Sequence, residues 1–182
     1  QQVLSRLDKS KKGSIDKDIK SLVNIINSLS DYYTSSSCSG RISITEVTGK
    51  KQEYNWLFVT HSKANFNHIK KTLEQPQEKN LWLKHEPMIL HICCRDIDSA
   101  KKMLDICHDA GLKRAGIITF GKKIMIETFG TDKMDVPISE KGNLLVNEVY
   151  LKVLIREANG MHEKNLARIE RLYKKIKDIK NK

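Results

Sequence analysis

The hydrophobic period of this chain changes twice along its length, and that change restricts the possible folds more than any other feature. Near the N-terminus Ile15, Ile19, Leu22, Val23, Ile26 and Leu29 fall on one face of a helix spanning residues 14–29, with Ser14 placed to cap it. From Leu145 to the end the helical period returns, with a break expected at Asn159-Gly160 and a stripe of Leu166, Ile169, Leu172, Ile176 and Ile179 beyond it. Between these ends the apolar residues come in short strand-like runs: Arg41 to Val47, Trp56 to Thr60, Leu81 to Leu83, Met88 to Cys94 and Met134 to Ile138. Ala115 to Phe120 and Lys123 to Thr128 read as a hairpin. Two shorter helices, Asn65 to Leu73 and one from Asp96 that stops at Ala110-Gly111, interrupt the strands. Helices at both ends with mostly strands between them argue for α+β rather than alternating α/β. The expectation is a compact single domain over residues 1–182, a mixed or mostly antiparallel β-sheet packed by helices, closed by a long C-terminal helical segment.

Charge narrows the partners. The 182 residues hold 33 Lys and Arg against 22 Asp and Glu, a formal charge of +11. Such a surplus attracts polyanions and speeds their encounter, although a lysine-rich solvated surface gives the same number. No run approaches the ~20 apolar residues of a membrane-spanning helix. The opening Gln1-Gln2-Val3-Leu4-Ser5 lacks the apolar core of a secretory signal and an initiator Met. Cytoplasmic residence is expected, with a residue or more missing at the start. The four cysteines include no C-x-x-C pair and suit reduced thiols.

Several motifs fall short of a known chemistry. Gly116 to Lys123 has the Gly and Lys spacing of a phosphate loop, but Lys123 stands where Ser or Thr must hold magnesium, and the segment lies in a hairpin rather than opening a helix. No G-x-G-x-x-G follows a strand, so the usual Rossmann-type dinucleotide- or nucleoside-cofactor fold is not indicated. His85, His91, Cys93 and Cys94 suggest zinc, but along a strand 91 and 93 share a face while 94 points away, and Glu86-Pro87 breaks the run. Packing is the simpler role, and no metal is expected. His61, at the end of a strand, is either a site residue or a structural one. Thr34 to Gly40 is a run of small polar residues, and the loop Ser35 to Arg41 is the best candidate site in the chain. Its small side chains expose backbone N–H groups, Gly40 permits close approach, and Arg41 offers a fork for phosphate or carboxylate. An ordinary serine-rich turn is the competing reading, and Cys38 within it fits a buried thiol better than a nucleophile. The C-terminal helix carries 8 Lys or Arg against 3 acidic residues from Met161 onward, which suits either an RNA-phosphate contact or a solvated face. Trp56, Trp82, Tyr32 and Tyr33 could stack on bases, although no recognised RNA-binding module is present.

Read in order, a series of segments resembles the wybutosine-synthesizing protein 3 family. They are Lys12-Gly13-Ser14-Ile15-Asp16, Ser36-Ser37-Cys38-Ser39-Gly40-Arg41-Ile42, Leu57-Phe58-Val59-Thr60-His61 and Leu83-Lys84-His85-Glu86-Pro87. Leu90-His91-Ile92-Cys93-Cys94-Arg95, Gly111-Leu112-Lys113-Arg114-Ala115-Gly116-Ile117, Val136-Pro137 and Arg168-Ile169-Glu170-Arg171-Leu172-Tyr173 complete the series. The resemblance implies methyl transfer from S-adenosyl-L-methionine to ring nitrogen N4 of a tricyclic guanosine derivative, beside the anticodon of phenylalanine tRNA. It also implies a fold unlike the usual nucleoside-cofactor methyltransferases. A basic module that binds RNA without catalysis is the rival reading.

Methyl transfer is an in-line displacement, so alignment matters, and the protonated ring nitrogen needs a base. Asp16, Glu86 and His91 are the candidate bases, with Asp16 ranked first and Glu86 able to pair instead with Lys84 or Arg95. Ser37, Gly40, Arg41, His61 and Gly116 are the candidates for the cofactor. Lys12, Arg95, Arg114, Arg168, Arg171 and Lys175 are the candidates for RNA, and a monomer is expected.

Overall fold

The computed structural model describes residues 15–47, 54–74 and 80–181. The expected cap at Ser14, the turn at Thr48 to Lys51 and the stop at Gln75-Pro76 lie outside these residues. In chain order the elements are α1 (Lys17–Asn27), β1 (Tyr32–Cys38), β2 (Arg41–Val47), β3 (Tyr54–Thr60), α2 (Phe66–Leu73), β4 (Leu81–Glu86), β5 (Ile89–Cys94), α3 (Ile97–Asp109), β6 (Gly116–Thr119), β7 (Ile124–Phe129), β8 (Met134–Glu140), β9 (Asn143–Leu144) and α4 (Glu148–Lys180). Every strand pair is antiparallel, which makes the chain α+β and sets it apart from doubly wound parallel sheets.

The chain divides into two compact units, one of residues 1–39, 88–131 and 166–182, the other of 40–87 and 132–165. The first unit holds a four-stranded sheet in the order β1-β5-β7-β6. Its core joins Ile19, Leu22, Val23 and Ile26 of α1 to Leu90 and Ile92 of β5, Met103 and Cys107 of α3, Ile126 of β7, and Ile169, Leu172 and Ile176 of α4. The helical stripes read from the sequence are therefore mostly the buried faces, each fully buried Leu or Ile contributing about 1.5–3 kcal/mol, whereas Ile179 at the end of the α4 stripe is 49% exposed. The second unit holds the order β3-β2-β4-β8-β9. Ile42, Ile44, Leu81, Leu83 and Ile138 pack there against Ile69 and Leu73 of α2 and Leu151, Leu154, Ile155 and Ala158 of α4. Lys141 and Gly142, both at positive φ (48° and 83°), form the two-residue turn from β8 to β9.

Three expectations about the elements need correction. The segment Ser35 to Arg41 is not one loop: Ser35 to Cys38 belong to β1, paired with β5 from Tyr32↔Cys94 to Cys38↔Ile89, and Arg41 opens β2. Its small polar side chains hid the strand, because ladder hydrogen bonds come from the backbone and need no apolar alternation. α1 begins at Lys17, with Asp16 as its N-cap residue. α4 runs without a break through Asn159-Gly160, since the Asn159 side chain bonds sideways, accepting from Ala64 N–H at 2.7 Å and donating to Ala64 C=O at 3.0 Å. Among the described residues no helix is long and apolar enough to cross a membrane.

Candidate functional site

In the first unit the sheet sets four residues in one row, Ser36↔His91, His91↔Glu127 and Glu127↔Gly116, on strands β1, β5, β7 and β6. Neighbours in such a row point to the same side of the sheet. His91 Nε2 donates to Glu127 Oε2 at 2.8 Å, and about a quarter of each side chain is exposed. A carboxylate on Nε2–H fixes the neutral tautomer, which leaves the lone pair on Nδ1 and orients the ring. This is the geometry of a positioned base. Of the expected residues, His91 and Gly116 come together here. Ser37 does not join them, because it stands in register with Leu90 and Thr128, on the other face of β1 from Ser36.

Asp16 has a structural task. Its carboxylate accepts from the Ser39 backbone N–H at 2.9 Å and the Ser39 hydroxyl at 3.2 Å, tying the start of α1 to the end of β1.

In the second unit Gly40, Arg41, His61 and Glu86 are linked. Gly40 adopts φ 93°, a conformation that disfavours a side chain, and its carbonyl accepts from His61 Nδ1–H at 2.9 Å. Arg41 Nε donates to Glu86 Oε2 at 2.6 Å, and the guanidinium lies 4.6 Å from the Trp56 ring centroid. Glu86 therefore pairs with neither of its expected partners: Lys84 lies 3.6 Å from Asp135, and Arg95 bonds Asp31 at 2.6 Å and Asp96 at 3.1 Å. Glu86 and Arg41 are direct neighbours across the β2–β4 ladder, a register that sequence periodicity does not show.

Among the residues expected to meet RNA, Lys12 lies outside the described residues and Arg114 is exposed. Arg171 Nε donates to the Ala110 carbonyl at 3.1 Å, and Lys175 lies 3.6 Å from Asp109, so both fasten α4 to the end of α3. Arg168 is half-buried.

Burial sets the titration of other groups. It holds the His85 imidazolium below its ordinary range, while Nδ1–H donates to the Asp132 carbonyl at 2.8 Å. Burial also pushes the Cys94 thiol up to about 11 and the Cys107 thiol up to about 12. These are packing thiols, and neither is a nucleophile near neutral pH.

Sequence reasoning missed Glu127. The alternation of β7, with Ile126 inward and Met125 and Glu127 outward, was legible; its pairing with His91 needed the register of two sheet neighbours.

The fold and this row define an α+β protein of two antiparallel sheets that carries an oriented imidazole and, separately, an arginine fork. The chain matches the family described as Methyltransferase TYW3 over residues 1–178. It belongs to that family, and is thereby a methyltransferase. It is 38% identical over 177 residues to the tRNA wybutosine-synthesizing protein 3 homolog of Danio rerio, covering 93% of this chain and 70% of the relative. It is 34% identical over 174 residues to the tRNA(Phe) 7-((3-amino-3-carboxypropyl)-4-demethylwyosine(37)-N(4))-methyltransferase 2 of Pyrococcus abyssi, covering 94% and 84%. The PH1069 protein of Pyrococcus horikoshii superposes with a TM-score of 0.86 at 30% identity, covering 93% of this chain and 87% of that one.

Proposed function

We propose that this chain methylates N4 of a tricyclic, 4-demethylwyosine-type guanosine in phenylalanine tRNA, with S-adenosyl-L-methionine as donor, in wybutosine or wyosine biosynthesis. It acts as one methyltransferase domain over residues 1–182, as a monomer in the cytoplasm. Family membership supports the methyl transfer, and the names of the relatives support the substrate. The observation that carries the mechanism is the 2.8 Å His91–Glu127 bond on the row with Ser36 and Gly116.

S-adenosyl-L-methionine, when bound, supplies an electrophilic methyl group on a sulfonium sulfur. The donor set fits its carboxylate: Arg41 keeps N–H donors beyond the Nε spent on Glu86. Two residues on in β2, the Ser43 hydroxyl is buried without a hydrogen-bond partner. Within the second unit Arg41, with Gly40 beside it, is suited to a carboxylate, and Glu86 keeps the guanidinium in place.

Within the first unit, His91 is the candidate base. The ring nitrogen of the substrate is a weak nucleophile while it carries a proton. Nδ1 of His91 takes that proton, and Glu127 stabilises the imidazolium that forms without itself being protonated. Asp16 and Glu86, each engaged by Ser39 or Arg41, are weaker candidates for this step.

Calorimetry of S-adenosyl-L-methionine binding, followed by methyl transfer to phenylalanine tRNA bearing the tricyclic base, tests the reading. In His91→Asn, single-turnover methylation should fall by about 10²–10⁴ with tRNA affinity retained. An unchanged rate removes His91 as the base, and no transfer by the parent protein removes the function.

A further inference from the structure

The most exposed aromatic side chain of the described residues stands at the tip of the β6–β7 hairpin. Phe120 is 74% exposed, and Ile118 beside it is 50% exposed. Pairing slips between Ile117 and Thr119, so Ile118 is the extra residue of a bulge, a device that twists a hairpin and re-aims its side chains. Lys113 and Arg114 precede the hairpin and Lys122 and Lys123 follow its tip, all four exposed. No acidic residue occurs between Asp109 and Glu127. None of the four cations pairs with an acidic group among the described residues.

A bare ring amid unpaired cations suits one kind of polyanion. A paired RNA helix offers phosphates but keeps its bases stacked, so the ring would find nothing to cover. An unpaired loop offers both, a base face for the ring and phosphates for the lysines. A membrane would take the same charges, but one phenylalanine with one isoleucine is a small apolar face to insert.

We propose that Phe120 is a stacking post for an unpaired base of the RNA substrate, with Lys122 and Lys123 on the flanking phosphates. The proposal rests on the tRNA reading above and deepens it by placing one contact. The same hairpin begins at Gly116, in the row of His91 and Glu127. Four residues of strand span at most about 13 Å, so Phe120 stands within that distance of Gly116 along the hairpin.

Fluorescence anisotropy with two RNA probes tests this: the anticodon stem–loop of phenylalanine tRNA, and a blunt duplex of the same stem. Phe120→Ala should weaken the stem–loop about tenfold, leave the duplex unchanged, and keep the parent melting temperature because the ring is exposed. Phe120→Trp should restore the affinity. The double variant Lys122→Gln, Lys123→Gln should weaken both probes and make the salt slope shallower by roughly 1.5. Parent-like stem–loop binding by Phe120→Ala, while the parent still methylates tRNA, overturns the post and leaves the methyltransferase reading standing. A parent that neither binds nor methylates tRNA overturns both. Vesicles containing phosphatidylserine serve as the third probe, and a Phe120→Ala loss confined to them assigns the tip to a membrane and overturns the proposal.

Discussion

In His85 the ring is buried, Nδ1–H donates to the Asp132 carbonyl, and Nε2 has no hydrogen-bond partner. The His162 ring stands edge-on with centroids 5.8 Å apart. Protonation would bury a charge, so the native pKa lies below the ordinary 6.5, burial being the main cause. The unfolded chain then binds the extra proton more readily, and stability rises with pH through that window. On acidification it is lost progressively as pH falls below about 6.5 toward the lower native value. Urea midpoints measured between pH 7.5 and 5.5 should fall for the parent protein and fall less for His85→Phe; equal slopes would refute this. His91 differs in what it faces, a carboxylate rather than a carbonyl, and the function proposed above gives that histidine the part of a base. The thiols give a second prediction at this scale. Cys93, Cys94 and Cys107 are buried and Cys38 only half-buried, so a maleimide should label Cys38 first in the native protein and all four once it is unfolded. Rapid native labelling at Cys107 would contradict the burial that raises its pKa.

At the scale of elements, α4 shows where a sequence signal misleads. Asn and Gly in succession read as a helix end, because both favour left-handed or turn conformations. Here each has a different explanation. The Asn159 amide makes two hydrogen bonds to Ala64, satisfying the backbone just ahead of α2, and truncation leaves both groups short of a partner. Asn159→Ala should cost about 1–3 kcal/mol in chemical denaturation. A Cβ built on Gly160 meets nothing within 4 Å, so Gly160→Ala should stabilise the protein by roughly 0.5–1 kcal/mol. A lower melting temperature for Gly160→Ala would show that the glycine serves a need the helix does not reveal. Most other elements were legible for a physical reason: period follows burial, and the stripes of α1 and the end of α4 are the faces in the core. β1 was not legible, because an edge strand of serines carries no alternation for burial to impose. The candidate site was legible only in part. Arg41, Glu86 and His91 were named from the sequence, whereas their partners depend on which strands lie side by side, and no local pattern specifies that.

Over the whole molecule, the +11 surplus overstates the charge available to a polyanion. Arg41, Arg95, Arg171 and Lys175 are each engaged by carboxylates or a backbone carbonyl. A cation spent on the fold neutralises no phosphate unless it first leaves its partner. Counterion release reports how many phosphates a protein neutralises, so the salt dependence of tRNA binding separates the two kinds of cation. Arg114→Gln should lower the slope of log K against log salt by about 0.7–0.9, with the melting temperature unchanged, since its side chain is exposed. Arg171→Gln should do the reverse: it removes the bond to the Ala110 carbonyl and should lower stability by about 1–3 kcal/mol, while the salt slope stays at the parent value. S-adenosyl-L-methionine, a small molecule without phosphates and so without a condensed counterion atmosphere, should bind with far less dependence on salt than tRNA in all three proteins. A slope that drops for Arg171→Gln and holds for Arg114→Gln would place the RNA on the C-terminal part of α4 instead, and would mean that Arg171 exchanges its carbonyl for a phosphate when tRNA arrives.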